Sequence, residues 1–394
     1  MISSFPDYDF IDGKNMYRGI DIGFGGYITS NPGMYENVAL LDVQSMHPTS
    51  VINMNCFGKY TQKYKDIYDA RVLIKHHDYE GAKKLLNGLL TPYLSDEKSA
   101  DDLAKALKLC LNSTYGLTAA SFDNPFRDPR NKNNIVALRG ALFMKTLQDE
   151  IESRGFQIVS IKTDSIKIVN ATKEIVEFAI GFAKEYGYTF EFEAAYSRIC
   201  QVNDADYIAR IADPEWCKET YGQIPGENAK HPNEWTVTGA QFAVPYVFKS
   251  LFSKDPIEFD DFCETKSVKT AIYLDMNEGL PDGKHNYIFV GRVGRFTPIK
   301  PGNGGGLLMR EGEDPKTGEV KYSSVTGSKG YRWLESEAVK ELDKEDAIDR
   351  SYYDRLVNEA VEAISKYGDF EWFVSDDSNV APYNIPDEPW SNVS

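Results

Sequence analysis

Alternating apolar and polar residues mark the most informative stretch of the chain, Gln157–Val169, which reads QIVSIKTDSIKIV. Two such runs meet at Thr163-Asp164-Ser165, three small polar residues that favour a tight turn. The pattern predicts a β-hairpin with Asp164 at its tip. A carboxylate in that position is either a simple turn former or a ligand for a cation that other segments also reach, and this stretch alone leaves both interpretations open.

Two further segments predict a strand and a pair of helices. The compact apolar run Glu36–Val43 predicts a buried strand with Asp42 near its end. The periodicity becomes helical between residues 63 and 89, and a second helix is expected over Asp101–Tyr115, after the start signal Ser95-Asp96-Glu97 and before Gly116. The two helices are basic, and we expect them to form an antiparallel hairpin.

The remaining pattern predicts a mixture of helices and strands. Helices are expected over Asn134–Arg154, Thr172–Tyr186, Tyr331–Lys344 and Asp349–Tyr367, and strands over Tyr188–Ala194, Arg198–Val202, Tyr207–Ile211 and twice within Asn286–Leu308. Pro214–Pro232 is expected to be a domain boundary, and Ser375–Ser394 a poorly ordered acidic tail. This order of elements predicts an α+β fold, an antiparallel sheet with helices on one face.

Composition narrows the class of protein. The chain has 394 residues, which favours two or three subdomains, and its 24 Tyr and 21 Phe predict a sizeable core. The five cysteines form no C-x-x-C pair, which argues against structural zinc or a disulfide framework. We find neither a signal peptide nor an apolar run long enough for a bilayer, so a cytoplasmic location (that of the host cell if the protein is viral) without a membrane partner is expected.

The net charge of −16 argues against nucleic acid as a partner, because phosphate binding normally needs a basic surface. Whole-chain charge sums over every face, however, and an acidic body can contain a basic cleft. Lysine and arginine do cluster locally, in Lys59–Lys75, Lys105–Lys108, Arg127–Lys132 and Arg292–Lys300.

A shared chemistry connects the hairpin, the strand and the helices. Asp42 and Asp164 each lie at a strand end in a plausible single sheet, where two carboxylates would hold Mg²⁺ together with substrate phosphates. Lys105, Lys108 and Asn112 share one stripe of a helix, and Arg71 and Lys75 are four residues apart on its partner. Two metals and a cationic clamp suit phosphoryl or nucleotidyl transfer.

The same segments resemble the conserved motifs of family-B DNA polymerases. Ile161–Val169 is similar to motif C (D-T-D-S), Asp42–Ser50 to motif A (D-x-x-S-L-Y-P-S), and Lys108–Gly116 matches motif B (K-x-x-x-N-S-x-Y-G) in full. The preceding stretch GFGGYITSNPGMYENV resembles the Y-x-G-G segment. The four occur in family order and cover about Gly19–Ile211; beyond them only TGAQF is similar to the family, and weakly.

The resemblance implies a right-hand polymerase fold with a ferredoxin-like antiparallel palm, two-helix fingers and a divergent thumb. Residues 1–58 would be the first part of the palm, 59–117 the fingers, 118–213 the rest of the palm, and 214–394 the thumb and C-terminal region.

The resemblance also implies the site residues. Catalytic Asp42 and Asp164 would ligate two Mg²⁺ ions, for which Mn²⁺ would substitute, with the Val43 carbonyl and Glu193 as further ligands. The nucleotide would be bound by Ser45, Met46, His47, Arg71, Lys75, Lys108, Asn112 and Tyr115. DNA would contact Gly25, Gly26, Thr163, Tyr207 and Arg210. The implied activity is template-directed addition of dNTPs to a primer 3′-hydroxyl, with primer-template DNA as partner.

Four positions depart from the family pattern. Lys162 replaces the first Asp of D-T-D-S, and His47 replaces the motif A tyrosine that excludes a 2′-hydroxyl. Gly23 stands in place of the tyrosine of Y-x-G-G, and Ala205-Asp206-Tyr207 lacks the lysine of the primer-binding K-x-Y element. Two alternatives therefore stay open: a non-catalytic DNA-binding or scaffold relative, and a ribonucleotide-tolerant, primase-like enzyme.

The segment before Asp42 is too short for the 3′–5′ exonuclease domain that precedes motif A in the family, and it has no D-x-E motif. We expect proofreading either to be lost or to reside on a separate chain that joins this one and other replisome proteins. A split replicase of this kind would suit genome replication in a bacteriophage.

Overall fold

The structure is a computed structural model that describes residues 4–127, 134–314 and 316–375. The chain divides into two units: unit 1 comprises Met1–Asp204 and Ala209–Glu234, and unit 2 comprises Ala205–Ile208 and Trp235–Ser394. Most of the basic cluster Arg127–Lys132 and of the predicted tail Ser375–Ser394 falls outside the described residues.

The strands are labelled in chain order. They are Tyr8–Ile11 (β1), Lys14–Tyr17 (β2), Ile20–Asp21 (β3), Ile28–Ser30 (β4), Gly33–Val43 (β5), Ile158–Lys162 (β6), Ser165–Val169 (β7), Phe190–Gln201 (β8), Tyr207–Ile211 (β9), Trp235–Thr238 (β10), Glu264–Asp275 (β11), Tyr287–Ile299 (β12), Leu307–Glu313 (β13), Val320–Ser324 (β14) and Arg332–Glu335 (β15).

The helices are labelled in the same way. They are Met46–Asn53 (α1), Thr61–Lys75 (α2), Tyr79–Lys83 (α3), Glu97–Thr118 (α4), Ile135–Ser153 (α5), Lys173–Glu185 (α6), Pro214–Tyr221 (α7), Gly226–Lys230 (α8), Ala240–Ala243 (α9), Pro245–Phe248 (α10), Ser336–Glu341 (α11), Arg350–Ser365 (α12) and Phe370–Val374 (α13). Within the residues described above, no helix is both long enough and apolar enough to cross a bilayer.

The central strand of unit 1 is β5, which pairs antiparallel with β7 on one side and β8 on the other. The order of the strands around it is β9-β8-β5-β7-β6-β4. Leu41 and Val43 belong to the main core, together with Ile166 of β7 and with α5 and α6. Because successive side chains of a strand point to opposite faces, Asp42 lies on the face away from that core. The predicted antiparallel sheet is confirmed.

Helices α2 and α4 pack against each other through a smaller core. Ala70 and Ile74 of α2 and Ala100 and Leu107 of α4 are buried together in it. A second cluster, which includes Leu111 of α4, joins this pair to α1 and α5. The predicted pair of helices is therefore present.

Unit 2 contains a five-stranded antiparallel sheet in the order β14-β13-β11-β12-β15. One face carries a core that includes Ile272, Phe296, Leu308 and Trp333, together with residues of α11 and α12. Tyr352 and Tyr353 of α12 are buried in the same core.

Several predicted boundaries were wrong. The helix expected to reach Leu89 ends at Lys75, because His77 has a φ of 59° and Asp78 caps the separate helix α3. The helix expected to end at Gly116 continues to Thr118. The two strands expected over residues 188–202 are one strand, β8, with an irregular register opposite Leu40 and Leu41.

Two regions of predicted structure also differ. The segment Pro214–Pro232, where a boundary is expected, contains α7 and α8 and belongs to unit 1, which ends at Glu234; buried Asn228 of this segment bonds to the backbone of Ala195 and Ala212. The helix expected from Tyr331 begins only at Ser336, because Arg332–Glu335 pairs with β12 as a strand.

Candidate active site

The predicted hairpin is confirmed, and its tip meets the end of β5. Lys162 pairs with Ser165 across a two-residue turn in which Thr163 has a φ of 60°. Asp42 lies opposite Ser165, and the Val43 amide donates a hydrogen bond of 2.8 Å to the Asp164 carbonyl. The register therefore brings the two aspartates, which are distant in sequence, to the same end of the interior strands β5 and β7.

Carboxyl groups are concentrated at this end of the strands. Burial, followed by the charges of Asp164, Glu193 and Glu191, raises the pKa of Asp42 to about 8. Burial also raises the pKa of Asp164, while a backbone hydrogen bond and the charge of Lys108 oppose that shift. A cluster of carboxylates that resist ionisation together is an environment that a cation would stabilise.

The donor set fits a hard divalent cation only in part. In the described portion of the chain, no group of three or more His, Cys, Asp or Glu side chains is arranged to hold a metal ion by itself. Mg²⁺, however, is usually bound through one or two carboxylates, with waters and substrate phosphates completing its shell. Asp42 and Asp164 supply such a pair of carboxylates, and Glu193 is near enough to raise the pKa of Asp42.

The N-terminus of α1 follows directly after β5. Its N-cap residue, Ser45, adopts a left-handed conformation with φ 53° and ψ 61°. The first amides of a helix have no partner within that helix and attract anions, so the amides of Ser45, Met46 and His47 form a potential phosphate site. Arg71 Nη1 of α2 donates a hydrogen bond of 3.0 Å to Ser45 Oγ, which places a guanidinium at the same position.

Glu191 connects α2 to the sheet. It lies opposite Asp42 in the pairing of β5 with β8. Lys75 Nζ donates to Glu191 Oε2 at 2.6 Å, and Gln44 Nε2 donates to Glu191 Oε1 at 2.8 Å. Sequence reasoning missed Glu191 and selected Glu193; the alternating stretch FEFE contained the signal, since its two glutamates share one face of a strand.

Helix α4 contributes an aromatic contact to the site. The rings of Tyr115 and His47 stack with centroids 4.6 Å apart and an interplanar angle of 16°. Tyr115 also donates a hydrogen bond of 2.8 Å to Asn134 Oδ1. Burial lowers the pKa of His47, which favours a neutral ring. Lys108 is exposed, and Asn112 is exposed one turn further along the same helix.

The glycine-rich loop lies against the hairpin tip. A Cβ atom on Gly26 would lie 2.4 Å from Thr163 Oγ1, so only glycine fits there without movement. Thr163 N donates a hydrogen bond of 2.9 Å to the Tyr27 carbonyl, and the neighbouring Gly25 is exposed. The loop and the hairpin tip therefore form one continuous surface.

Lys162 is exposed at the end of β6, where it pairs with Ser165 and with Ile28 of β4. Burial, and after it the charge of Lys162, lowers the pKa of Lys167 to about 8. The two lysines therefore share the face of the sheet that carries Asp42.

The remaining predicted DNA contacts lie on β9. Arg210 belongs to unit 1, and β8 separates its strand from β5. Tyr207 belongs to unit 2, where its amide donates a hydrogen bond of 3.2 Å to Thr238 Oγ1.

Comparisons with known proteins give partial matches. No protein-family model matches the chain. The chain is 26% identical to DNA polymerase 1 of Sulfurisphaera ohwakuensis over 199 residues, 28% identical to DNA polymerase of Archaeoglobus fulgidus over 200 residues, and 25% identical to DNA polymerase II of Escherichia coli over 162 residues. These alignments cover 44%, 46% and 36% of this chain.

The same alignments cover only 23%, 25% and 19% of the relatives, so the chain spans about a quarter or less of the length of the curated relatives it matches. Among solved structures, the family B DNA polymerase from Pyrobaculum calidifontis aligns with 86% of this chain and 46% of its own, at 13% identity and a TM-score of 0.40. Over less than half of its length, this chain is therefore similar in sequence to DNA polymerases from two archaea and from Escherichia coli.

Proposed function

We propose that the chain is a template-directed DNA polymerase that adds dNTPs to a primer 3′-hydroxyl. One observation carries the proposal: Asp42 and Asp164 meet at a sheet edge beside the N-terminus of α1 and the cations of α2 and α4. The partial homology to DNA polymerases supports the same activity. In this proposal residues 1–58 and 118–213 are the palm, 59–117 the fingers, and 214–394 the thumb and C-terminal region.

Asp42 and Asp164, with the Val43 carbonyl and Glu193, would hold two Mg²⁺ ions. Bound there, the ions would lower the pKa of the attacking hydroxyl and neutralise charge that develops on the phosphates. The chain's own part is to keep these oxygens at fixed positions, which β5 does because it is paired on both sides. Asp42 and Asp164 are both half-buried, and the lower local dielectric would strengthen their interaction with cations.

The triphosphate would lie at the N-terminus of α1. There the amides of Ser45, Met46 and His47 would donate hydrogen bonds to the phosphate oxygens, and Arg71 and Lys108 would balance the phosphate charge. Lys75 is bound to Glu191 in this structure, so it would have to exchange a carboxylate for a phosphate when the nucleotide arrives.

The nascent base pair would rest beside the stacked rings of His47 and Tyr115, next to Asn112. Template and primer would follow the continuous surface of Gly25, Gly26 and Thr163. Tyr207 and Arg210, both on β9, would also contact the duplex.

Primer extension with Mg²⁺ tests the proposal. Asp42→Asn and Asp164→Asn should each reduce extension by orders of magnitude, whereas Asp123→Asn, a matched change at an exposed loop carboxylate, should leave it unchanged. Normal extension by either site variant would overturn the assignment of the site. A wild-type chain that binds primer-template but does not extend it would indicate a scaffold instead.

A ribonucleotide-tolerant enzyme is the second candidate, and the stacking of His47 on Tyr115 favours it. An imidazole is smaller than a phenol and has no hydroxyl, so it leaves more room beside a ribose. Parallel extension with dNTPs and rNTPs tests this candidate. His47→Tyr should lower the use of rNTPs more than that of dNTPs, and an unchanged ratio would exclude His47 as the determinant.

A further inference from the structure

The sheet of unit 2 has a second face, opposite its core, that carries a row of aromatic rings. Tyr287 of β12 and Tyr322 of β14 stack with centroids 4.0 Å apart and an interplanar angle of 17°. Tyr273 of β11 meets Tyr322 edge-on at 5.2 Å and Phe289 at 5.6 Å. The register confirms that these rings share a face, since Tyr273 lies directly opposite Phe289. We call these four residues the aromatic face.

The most exposed ring of the aromatic face is Phe289, whereas its three tyrosines are half-buried. Phe289 is 63% exposed, and further along the same strand Val293 is 62% exposed. The contact between Phe289 and Tyr273 is tilted by 68°, so a flat side of the Phe289 ring remains available to another planar ring. Exposed aromatic rings in such an arrangement are typical of a surface that binds a ligand.

Charge around the aromatic face differs from that of the whole chain. Strands β11 to β14 carry six Lys and Arg against four Asp and Glu, whereas the net charge of the chain is −16. Among the described residues, no carboxylate lies within ion-pair distance of Lys284, which precedes β12, or of Lys269, in the irregular part of β11. Two carboxylates near the rings are already engaged: Tyr273 donates to Glu311, and Asp275 bonds to His285.

We propose that the aromatic face binds single-stranded DNA by stacking on unpaired bases. Bases have flat faces that match an open ring, and the backbone is a polyanion that matches Lys269 and Lys284. A duplex keeps its bases stacked on one another, so the rings select unpaired DNA. A second copy of the chain fits less well, because a symmetric contact would place these cations against one another. The site is independent of the carboxylates of the proposed active site.

Binding of a fluorescent oligothymidylate of about 12 nucleotides to the full chain, followed by anisotropy, tests the proposal. Phe289→Leu keeps an exposed apolar side chain but removes the ring, and it should weaken binding about 5- to 150-fold. Phe289→Trp keeps a ring and should bind at least as tightly as the wild type. Leu342→Ala removes another exposed apolar side chain of unit 2 and is the matched control.

Ultraviolet cross-linking locates the bound strand. Trypsin releases residues 285–292 as one peptide, which contains Tyr287 and Phe289 and should carry a nucleotide adduct. Wild-type affinity in Phe289→Leu, or no adduct on this peptide, would overturn the proposal. If both Phe289→Leu and Phe289→Trp weakened oligonucleotide binding equally, and if sedimentation showed a wild-type dimer that both variants lose, the face would be assigned to self-association instead.

The polymerase proposal and the proposed DNA site on the aromatic face can be refuted independently. Asp42→Asn should abolish extension and leave the adduct on residues 285–292 unchanged. Normal primer extension without this adduct would overturn only the proposed DNA site on the aromatic face. An adduct in a wild-type chain that cannot extend primers would support that site and count against the polymerase activity.

Discussion

Replacing Asp42 with Asn should stabilise the metal-free protein, because it keeps the shape of the side chain and removes a charge that the fold disfavours. Burial and the charges of Asp164, Glu193 and Glu191 raise the pKa of Asp42 from 3.8 to about 8. Between these two pH values the folded protein keeps a proton that the unfolded chain releases. The stability of the wild type therefore falls as the pH rises through this window and is constant above it.

The pKa of Asp42 sets the magnitude. One pKa unit corresponds to about 1.4 kcal/mol, so a carboxylate displaced from 3.8 to about 8 destabilises the fold by at most about 6 kcal/mol. Water entry and rotation of neighbouring carboxylates reduce this value, and we expect Asp42→Asn to raise the free energy of unfolding by about 2–3 kcal/mol at pH 8.5. At pH 5, where wild-type Asp42 is mostly protonated, the gain should be less than a third of that.

Calorimetry in EDTA at both pH values measures the effect. A unit of this size changes its melting temperature by about 2–4 °C per kcal/mol, so the variant should melt roughly 4–12 °C above the wild type at pH 8.5. Asp123→Asn removes an exposed charge and should shift melting by about 1 °C or less. Added Mg²⁺ should stabilise the wild type more than the variant. If the melting temperature of Asp42→Asn at pH 8.5 were equal to or below that of the wild type, an ionised Asp42 would not destabilise the fold as its raised pKa implies.

Three further predictions concern packing and charge. Gly26→Ala should lower the free energy of unfolding by about 1–3 kcal/mol in a denaturant titration, and Thr163→Gly should restore part of it; strictly additive effects would show that the two positions do not touch. Asn228→Ala should lower the free energy of unfolding by about 2–4 kcal/mol, since it removes the side chain that bonds the Ala195 amide and the Ala212 carbonyl, and a loss below about 1 kcal/mol would contradict the importance of these bonds. Glu191→Gln should lower the KM for dNTPs by up to about fivefold by releasing Lys75 for phosphate, so a higher KM would refute the exchange of partners.

The elements that sequence predicts well are those that neighbouring residues determine. The hairpin needs only two alternating runs around Thr163-Asp164, and both runs are within a few residues of the turn. Helix α4 begins where Asp96 accepts a hydrogen bond from the Ser99 amide, as the start signal predicted. For the same reason the stretch containing Asp42 was recognised as a buried strand, because its own compact apolar run is sufficient.

The features that could not be predicted from the sequence depend on residues that are far apart along the chain. Lys75 and Glu191 are 116 residues apart, and only the register of β8 brings them together. That register includes an irregularity opposite Leu40 and Leu41, which no local pattern reveals. The end of α2 was missed because His77 adopts a left-handed conformation that neither glycine nor proline signals.

The position of Asp42 follows from the same pattern that builds the core. Leu41 and Val43 are buried with Ile166, so the alternation of β5 leaves Asp42 no place except the opposite face. A slip of one residue would bury the carboxylate in the core and expose the two apolar side chains, and pairing with β7 and β8 on both sides prevents it. A strand fixed in this way can hold carboxylates together against their repulsion, because separating them would break the pairing of the central strand. The hydrophobic core thus holds together the carboxyl groups of the proposed cation site.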